Sequence, residues 1–79
     1  MEMTGMTHKE MIMHLSGMIA EEMEGAAKYA HCAMMYKQDK PKMGKMFHTM
    51  AEQEMEHMHM LQDAATEELK AMQEMYEQA

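Results

Sequence analysis

The stretch EQEMEHMHML, Glu52 to Leu61, sets three carboxylates, two imidazoles and three thioethers within ten positions. Carboxylate oxygens with imidazole nitrogens suit iron or manganese, whereas thioethers select Cu(I). On a helix, residues three apart share a face, so Glu54 and His57 form one pair able to reach a single ion. Glu52, Glu56 and His59 then look elsewhere. Alternating steps of three and four from Leu15 pass through positions 15, 18, 22, 26, 29 and 33. The same count from Met43 passes through 43, 47, 50, 54, 57, 61 and 64. Both lines are apolar or small except at Glu22, Tyr29, Glu54 and His57. A buried, unpaired carboxylate is costly enough that it takes up a proton, a partner or a cation. Glu22, Glu54 and His57 are therefore the candidate metal ligands.

The elements that must position them are two helices. The segment THKEMIMHLSGMIAEEMEGAAKYAHCAMMYKQ predicts a helix over about residues 7–38, opened by a capping box in which Thr7 and Glu10 satisfy free amides. Its apolar stripe runs Met11, Leu15, Met18/Ile19, Met23, Ala26, Ala30 and Ala33. Gly17 and Gly25 weaken this helix locally, and Gly25 with Ala26 and Ala27 allows another helix to come close. QDKPK then interrupts the pattern near Asp39 and Lys40. Pro41 fits the first turn of a new helix, where its missing amide hydrogen costs nothing. The second helix is expected over about residues 41–77, with Met43, Met46/Phe47, Met50, Leu61, Ala64/Ala65, Leu69, Met72 and Met75/Tyr76 on its stripe.

The expected fold class is thus all-α, an antiparallel two-helix hairpin forming one domain over residues 1–79. A turn at 39/40 puts Glu22, Glu54 and His57 at levels that differ by at most one helical turn, about 5 Å. Chains of this length bury only about 60% of their unfolded surface, so the hairpin is expected to associate. Two hairpins packed as a four-helix bundle supply two Glu22, two Glu54 and two His57. That is the donor set of the dinuclear bundle-core sites, one Glu from each of two helices and Glu-x-x-His from each of the other two.

Charge and composition narrow the partners. Fourteen acidic residues against seven basic ones give a net charge of -7, which disfavours nucleic acid and anionic membranes and favours cations. The lone Cys32 excludes an intrachain disulfide or a four-cysteine metal centre in one chain, and fits a reducing cytoplasm. No apolar run approaches the roughly 20 residues that span a bilayer, and MEMTGMTHKE lacks the pattern of a signal peptide. The expected location is cytoplasmic.

EEMEGAAKY, read as Glu22-x6-Tyr29, together with EMEH, read as Glu54-x2-His57, resembles the ferritin-like superfamily on its rubrerythrin and encapsulated-ferritin side. The similarity covers roughly Met18 to Leu61. A full rubrerythrin has two such helix pairs and usually a four-cysteine iron domain, whereas this chain has one pair and one cysteine. Encapsulated ferritins resemble it more, being short two-helix chains whose di-iron site forms between two subunits. The resemblance implies ferroxidase activity with two Fe per dimer, Tyr29 as a residue supporting a ligating Glu, and Glu24 as an entry-side cation contact. It also implies residence in a protein shell directed by a C-terminal peptide, to which KAMQEMYEQA shows no clear equivalent.

Other readings compete. Glu22, Glu54 and His57 also suit a polar layer that fixes register in a purely structural bundle. His8, His14 and His48 read as solvated helix-face residues, and neither His31 nor Cys32 has a sequence partner that makes it a ligand. The seventeen methionines serve as pliable substitutes for Leu. Met13, Met35, Met55 and Met60 are expected to face away from the seam, and HMHM beside Met55 makes non-enzymatic copper binding the alternative to iron oxidation.

Overall fold

In a computed structural model, residues 5–78 are described. Residues 1–4 and 79, which belong to the expected domain and hold the start of MEMTGMTHKE, lie outside the described residues. Two helices account for nearly all of the rest: α1 spans His8–Tyr36 and α2 spans Pro41–Gln78. They pack side by side, and there is no strand among the described residues.

The ends of α1 follow from local chemistry. The Thr7 hydroxyl accepts the Glu10 amide at 3.1 Å, and the Thr7 amide donates back to Glu10 Oε1 at 3.2 Å. This reciprocal capping box satisfies two of the amides that a helix start leaves free. At the other end the chain turns over Lys37–Lys40, where the Lys40 amide donates to the Tyr36 carbonyl at 2.9 Å. Pro41 opens α2, and the Gly44 amide is the donor to the Lys40 carbonyl at 3.0 Å.

The seam between the helices is one row wide. On α1 the half-buried residues include Ile12, Leu15, Ile19, Glu22, Ala26, Tyr29, Ala33 and Tyr36; on α2, Phe47, Glu54, Met58, Leu61, Ala65, Glu68 and Met72 are half-buried and Ala51 is buried. Both rows keep the three-four rhythm; Leu15, Glu22, Ala26, Tyr29 and Ala33 on α1 and Phe47, Glu54 and Leu61 on α2 lie on the expected lines, and the positions between them shift by one. Of the expected pair Met18/Ile19 it is Ile19 that turns inward; Ala51 is buried beside a half-buried Met50, and Met58 takes the place given to His57. Met23, Ala30, Met43, Ala64, Leu69, Met75 and Tyr76 are exposed rather than on the seam. The reason is geometric: with one neighbour, each helix can cover only a narrow line, whereas the apolar residues are spread over a wider arc.

Near the turn the helices come closest. A Cβ on Gly44 would stand 3.2 Å from Lys37 Cα and 3.3 Å from the Ala33 carbonyl oxygen, so this glycine permits the approach. Phe47 then stacks between Tyr29 and Tyr36, with ring centroids 6.2 and 5.8 Å apart. The molecule measures 61 × 23 × 14 Å, little thicker than one helix with its side chains. It exposes 6531 Å², against about 4,900 Å² for a compact protein of this mass. The difference is roughly twice the ~800 Å² that one partner contributes to a standard interface.

Because backbone atoms crowd Gly44, the side chain of Gly44→Ala cannot be accommodated by a rotamer change. Thermal unfolding should show the variant destabilised by about 1–3 kcal/mol, despite alanine's better helix propensity; an unchanged or higher melting temperature would contradict the close approach.

Candidate metal centre

Midway along the seam, Glu22 from α1 meets Glu54 and His57 from α2. One ligand atom from each lies within 4.8 Å of the other two. Glu22 and Glu54 occupy the seam itself, so each is half-buried. His57 sits one position off, on the flank, and its side chain remains 56% exposed. Its Nδ1 is 3.5 Å from Glu22 Oε2. That Glu22 oxygen is buried and accepts no hydrogen bond from the described residues.

Glu54 reaches the site by lying over Gly25. A Cβ there would be 2.9 Å from Glu54 Oε2, so the absent side chain makes a bed for the carboxylate. Gly25, expected to admit another helix, faces a side chain of α2 instead, and the close backbone approach lies at Gly44. Glu54 is held above the ordinary carboxyl value of 4.5. Its protonated form hydrogen-bonds to Glu22, and partial burial and the Glu22 charge act in the same direction; the His57 charge opposes them. Two carboxylates on one narrow seam repel, and either a shared proton or a cation relieves the repulsion.

The donors fit a hard or borderline divalent ion. With metal–ligand bonds of about 2.0–2.2 Å, ligand atoms on opposite sides of an ion are about 4.2 Å apart, so small rotations of these side chains would close the set. Two carboxylates and one imidazole supply at most part of a coordination shell, and the exposed His57 flank leaves the remainder open. That flank carries Met11, Met18, Gly25 and Cys32 on α1, and Met43, Met50, Ala64 and Ala71 beside His57 on α2. Apart from His57 it has no ionisable group other than the Cys32 thiol.

The remaining residues are placed as follows. Glu52, Glu56 and His59 are exposed, and Glu52 lies 3.4 Å from His48 Nε2 in solvent. Glu24 is exposed on the outer side of α1. Tyr29 stacks on Phe47, and its hydroxyl makes no hydrogen bond among the described residues. His14 and His48 are exposed, as expected. His8 is not: it is half-buried, with Nδ1 2.6 Å from Glu68 Oε2. The seam continues past the apolar stripe to this pair, and the seven-residue spacing from Leu15 back to His8, and from Leu61 on to Glu68, is the signal that would have revealed it. No protein-family model, curated protein or solved structure matches the chain.

Two outcomes follow from this geometry. A raised folded-state pKa contributes stability below the unfolded value that is lost as pH rises through the folded one. The metal-free protein should therefore lose melting temperature relative to Glu54→Gln as pH rises from 4.5 through the Glu54 titration; parallel pH profiles for the two proteins would show that the shared proton is absent. Separately, Gly25→Ala should displace the Glu54 carboxylate, lowering metal affinity while the helical fold persists. Unaltered affinity in a metal titration would mean that Gly25 does not position Glu54.

Proposed function

We propose that this hairpin is a ferritin-like di-iron protein that works as a pair of chains and oxidises Fe(II) with dioxygen or peroxide. The observation that carries the reading is the convergence of Glu22, Glu54 and His57, from two helices, around a buried Glu22 oxygen that, with both carboxylates ionised, accepts no hydrogen bond among the described residues. A polar layer serving register alone would not require three cation ligands at one point, two of them mutually repelling.

The apolar flank beside His57 supports pairing on that side. A second hairpin laid across it would cover Met18, Met43 and Met50 and would offer its own Glu22, Glu54 and His57 to the open half of the shell, giving two irons per dimer. Bound iron would supply the electrons: two Fe(II) lose one each, and the oxidant takes two electrons with two protons, dioxygen forming hydrogen peroxide or hydrogen peroxide forming water. The protein's part is to hold and to neutralise. Glu22 and Glu54 would hold the iron through their carboxylate oxygens, and His57 through its imidazole. Metal entry would release the proton otherwise held between the carboxylates. The apolar flank would keep water from the covered site. Tyr29, one heptad along the seam from Glu22, is assigned a supporting place, and Glu24 a place at the entry. Manganese suits the same donors.

Copper binding is the rival, favoured by the exposure of Met55 (48%) and Met60 (69%) on either side of His59. Substitution separates the two. Glu54→Ala and His57→Ala should each lose bound iron and iron-dependent oxidation, whereas Glu52→Ala and His59→Ala keep most of both. Glu22→Gln, which preserves size and removes charge, should abolish rapid iron oxidation yet leave the metal-free melting temperature unchanged or raised. Equal damage from His59→Ala and His57→Ala would favour copper at HMHM. Unchanged oxidation in Glu22→Gln would remove that residue from the site.

A further inference from the structure

Thioethers and the other large apolar side chains are divided between the outside and the seam of this hairpin. Ile12, Leu15, Ile19, Phe47 and Leu61 are half-buried on the seam. Of the described methionines only Met58 and Met72 join them there; Met6, Met11 and Met50 are half-buried elsewhere, and all the others are exposed. Met34, Met60, Met13 and Met75 are 78%, 69%, 65% and 60% exposed. Leu or Ile fills an apolar contact about as well as Met does. Keeping Met for the outside therefore points to its sulfur.

Position separates the uses that exposed thioethers have. A soft ion needs several of them at one point, but Met13 and Met34 stand about 31 Å apart along α1 at 1.5 Å per residue, and Met60 and Met75 belong to the other helix. An adaptable docking surface needs them in one patch. Here they are dispersed: Met34 is close to the turn, Met13 is near the start of α1, and Met75 is in the last turn of α2. Met60 stands about 200° around α2 from the seam residue Met58. Uptake of an oxygen atom needs only one accessible thioether at a time, and accessibility is what these residues share.

We infer that the exposed methionines are a sink for hydroperoxides, hydrogen peroxide being the smallest. The thioether sulfur attacks one peroxide oxygen, so that an S–O bond forms as the O–O bond breaks. Sulfur gives up two electrons, and the proton of the transferred oxygen passes to the departing one, which leaves as water. The product is methionine sulfoxide, from which sulfoxide reductases restore the thioether. A net charge of -7 repels anionic oxidants and leaves a neutral peroxide free to approach. Met13, Met34, Met60 and Met75 take no part in the seam, so their conversion into polar sulfoxides leaves the pairing of the helices intact. They are also distinct from Met18, Met43 and Met50, which the proposed pairing of chains would cover. Met58 and Met72 differ, because a sulfoxide there sets a polar group into the apolar row. The outside thus takes the oxidant first and protects the seam.

Treatment of the metal-free full chain with a limiting amount of hydrogen peroxide tests this, read by peptide mass spectrometry together with circular dichroism. Sulfoxide should appear at Met13, Met34, Met60 and Met75 several-fold sooner than at Met58 and Met72. Helix content should hold until the seam pair reacts. A chain carrying Met13→Leu, Met34→Leu, Met60→Leu and Met75→Leu changes only exposed positions and should keep the parent's helix content, yet the same peroxide should oxidise its Met58 and Met72 to a greater extent. Cys32, whose thiol also takes oxygen from peroxide, is mapped in the same digest. Equal rates at exposed and seam positions, loss of helix while only the exposed positions carry sulfoxide, or unchanged seam oxidation in the fourfold variant would each overturn the sink. Iron takes no part in the assay, so its outcome is independent of the metal centre.

Discussion

Two carboxylates, Glu22 and Glu54, share a seam that is only one residue wide, and the rest of the molecule is arranged around that repulsion. A seam between two helices offers each side chain one facing neighbour and little water. Apolar groups fill it above and below, with Ile19 and Leu15 on one side of Glu22 and Ala26 and Tyr29 on the other. Within this row a carboxylate must be neutralised locally. Glu54 answers by holding its proton more tightly, Gly25 answers by giving the carboxylate space, and His57 stands at the edge where it faces both glutamates and solvent. A cation at the same point would satisfy all three at once, including the buried Glu22 oxygen that accepts no hydrogen bond among the described residues.

The thinness of the hairpin has a second consequence. A layer 14 Å thick cannot surround its own centre, so both flanks of the seam stay open and most methionines lie in solvent. Thioether side chains are flexible and polarizable, and they adapt to irregular partners at low cost. Their placement on α1 divides into two stripes of different character. One stripe lies beside His57 and the candidate metal ligands; the other, with Met13, Met23 and Met34, lies on the opposite side. A chain built in this way has little core of its own: among the described residues only Gly44 and Ala51 are buried.

Much of this was legible in the sequence because it depends on local rules. Thr7 and Glu10 form the capping box that their spacing implies, Pro41 opens α2, and the turn at Asp39 and Lys40 brings Glu22 to the level of Glu54 and His57. What local rules do not contain is the exact line of contact. A count begun at Met43 meets the real seam at Phe47, Glu54 and Leu61 and misses it by one position at Met43, His57 and Ala64, because several adjacent residues fit an apolar pattern equally well and only a facing helix chooses among them. Thus Met58 takes the seam and His57 the flank. The pairing of His8 with Glu68 escaped for a related reason, since each is polar alone and only the hairpin's register makes them neighbours. The roles of Gly25 and Gly44 likewise depend on what faces them across the seam: a carboxylate in one case, backbone in the other.

The most direct test of the central claim is metal content combined with X-ray absorption on protein loaded with Fe(II) and then oxidised. The account requires one iron per chain, oxygen and nitrogen neighbours at about 2.0–2.2 Å, and a second iron at about 3.5–4 Å. Copper with sulfur neighbours, or a chain that takes up no iron, would contradict it.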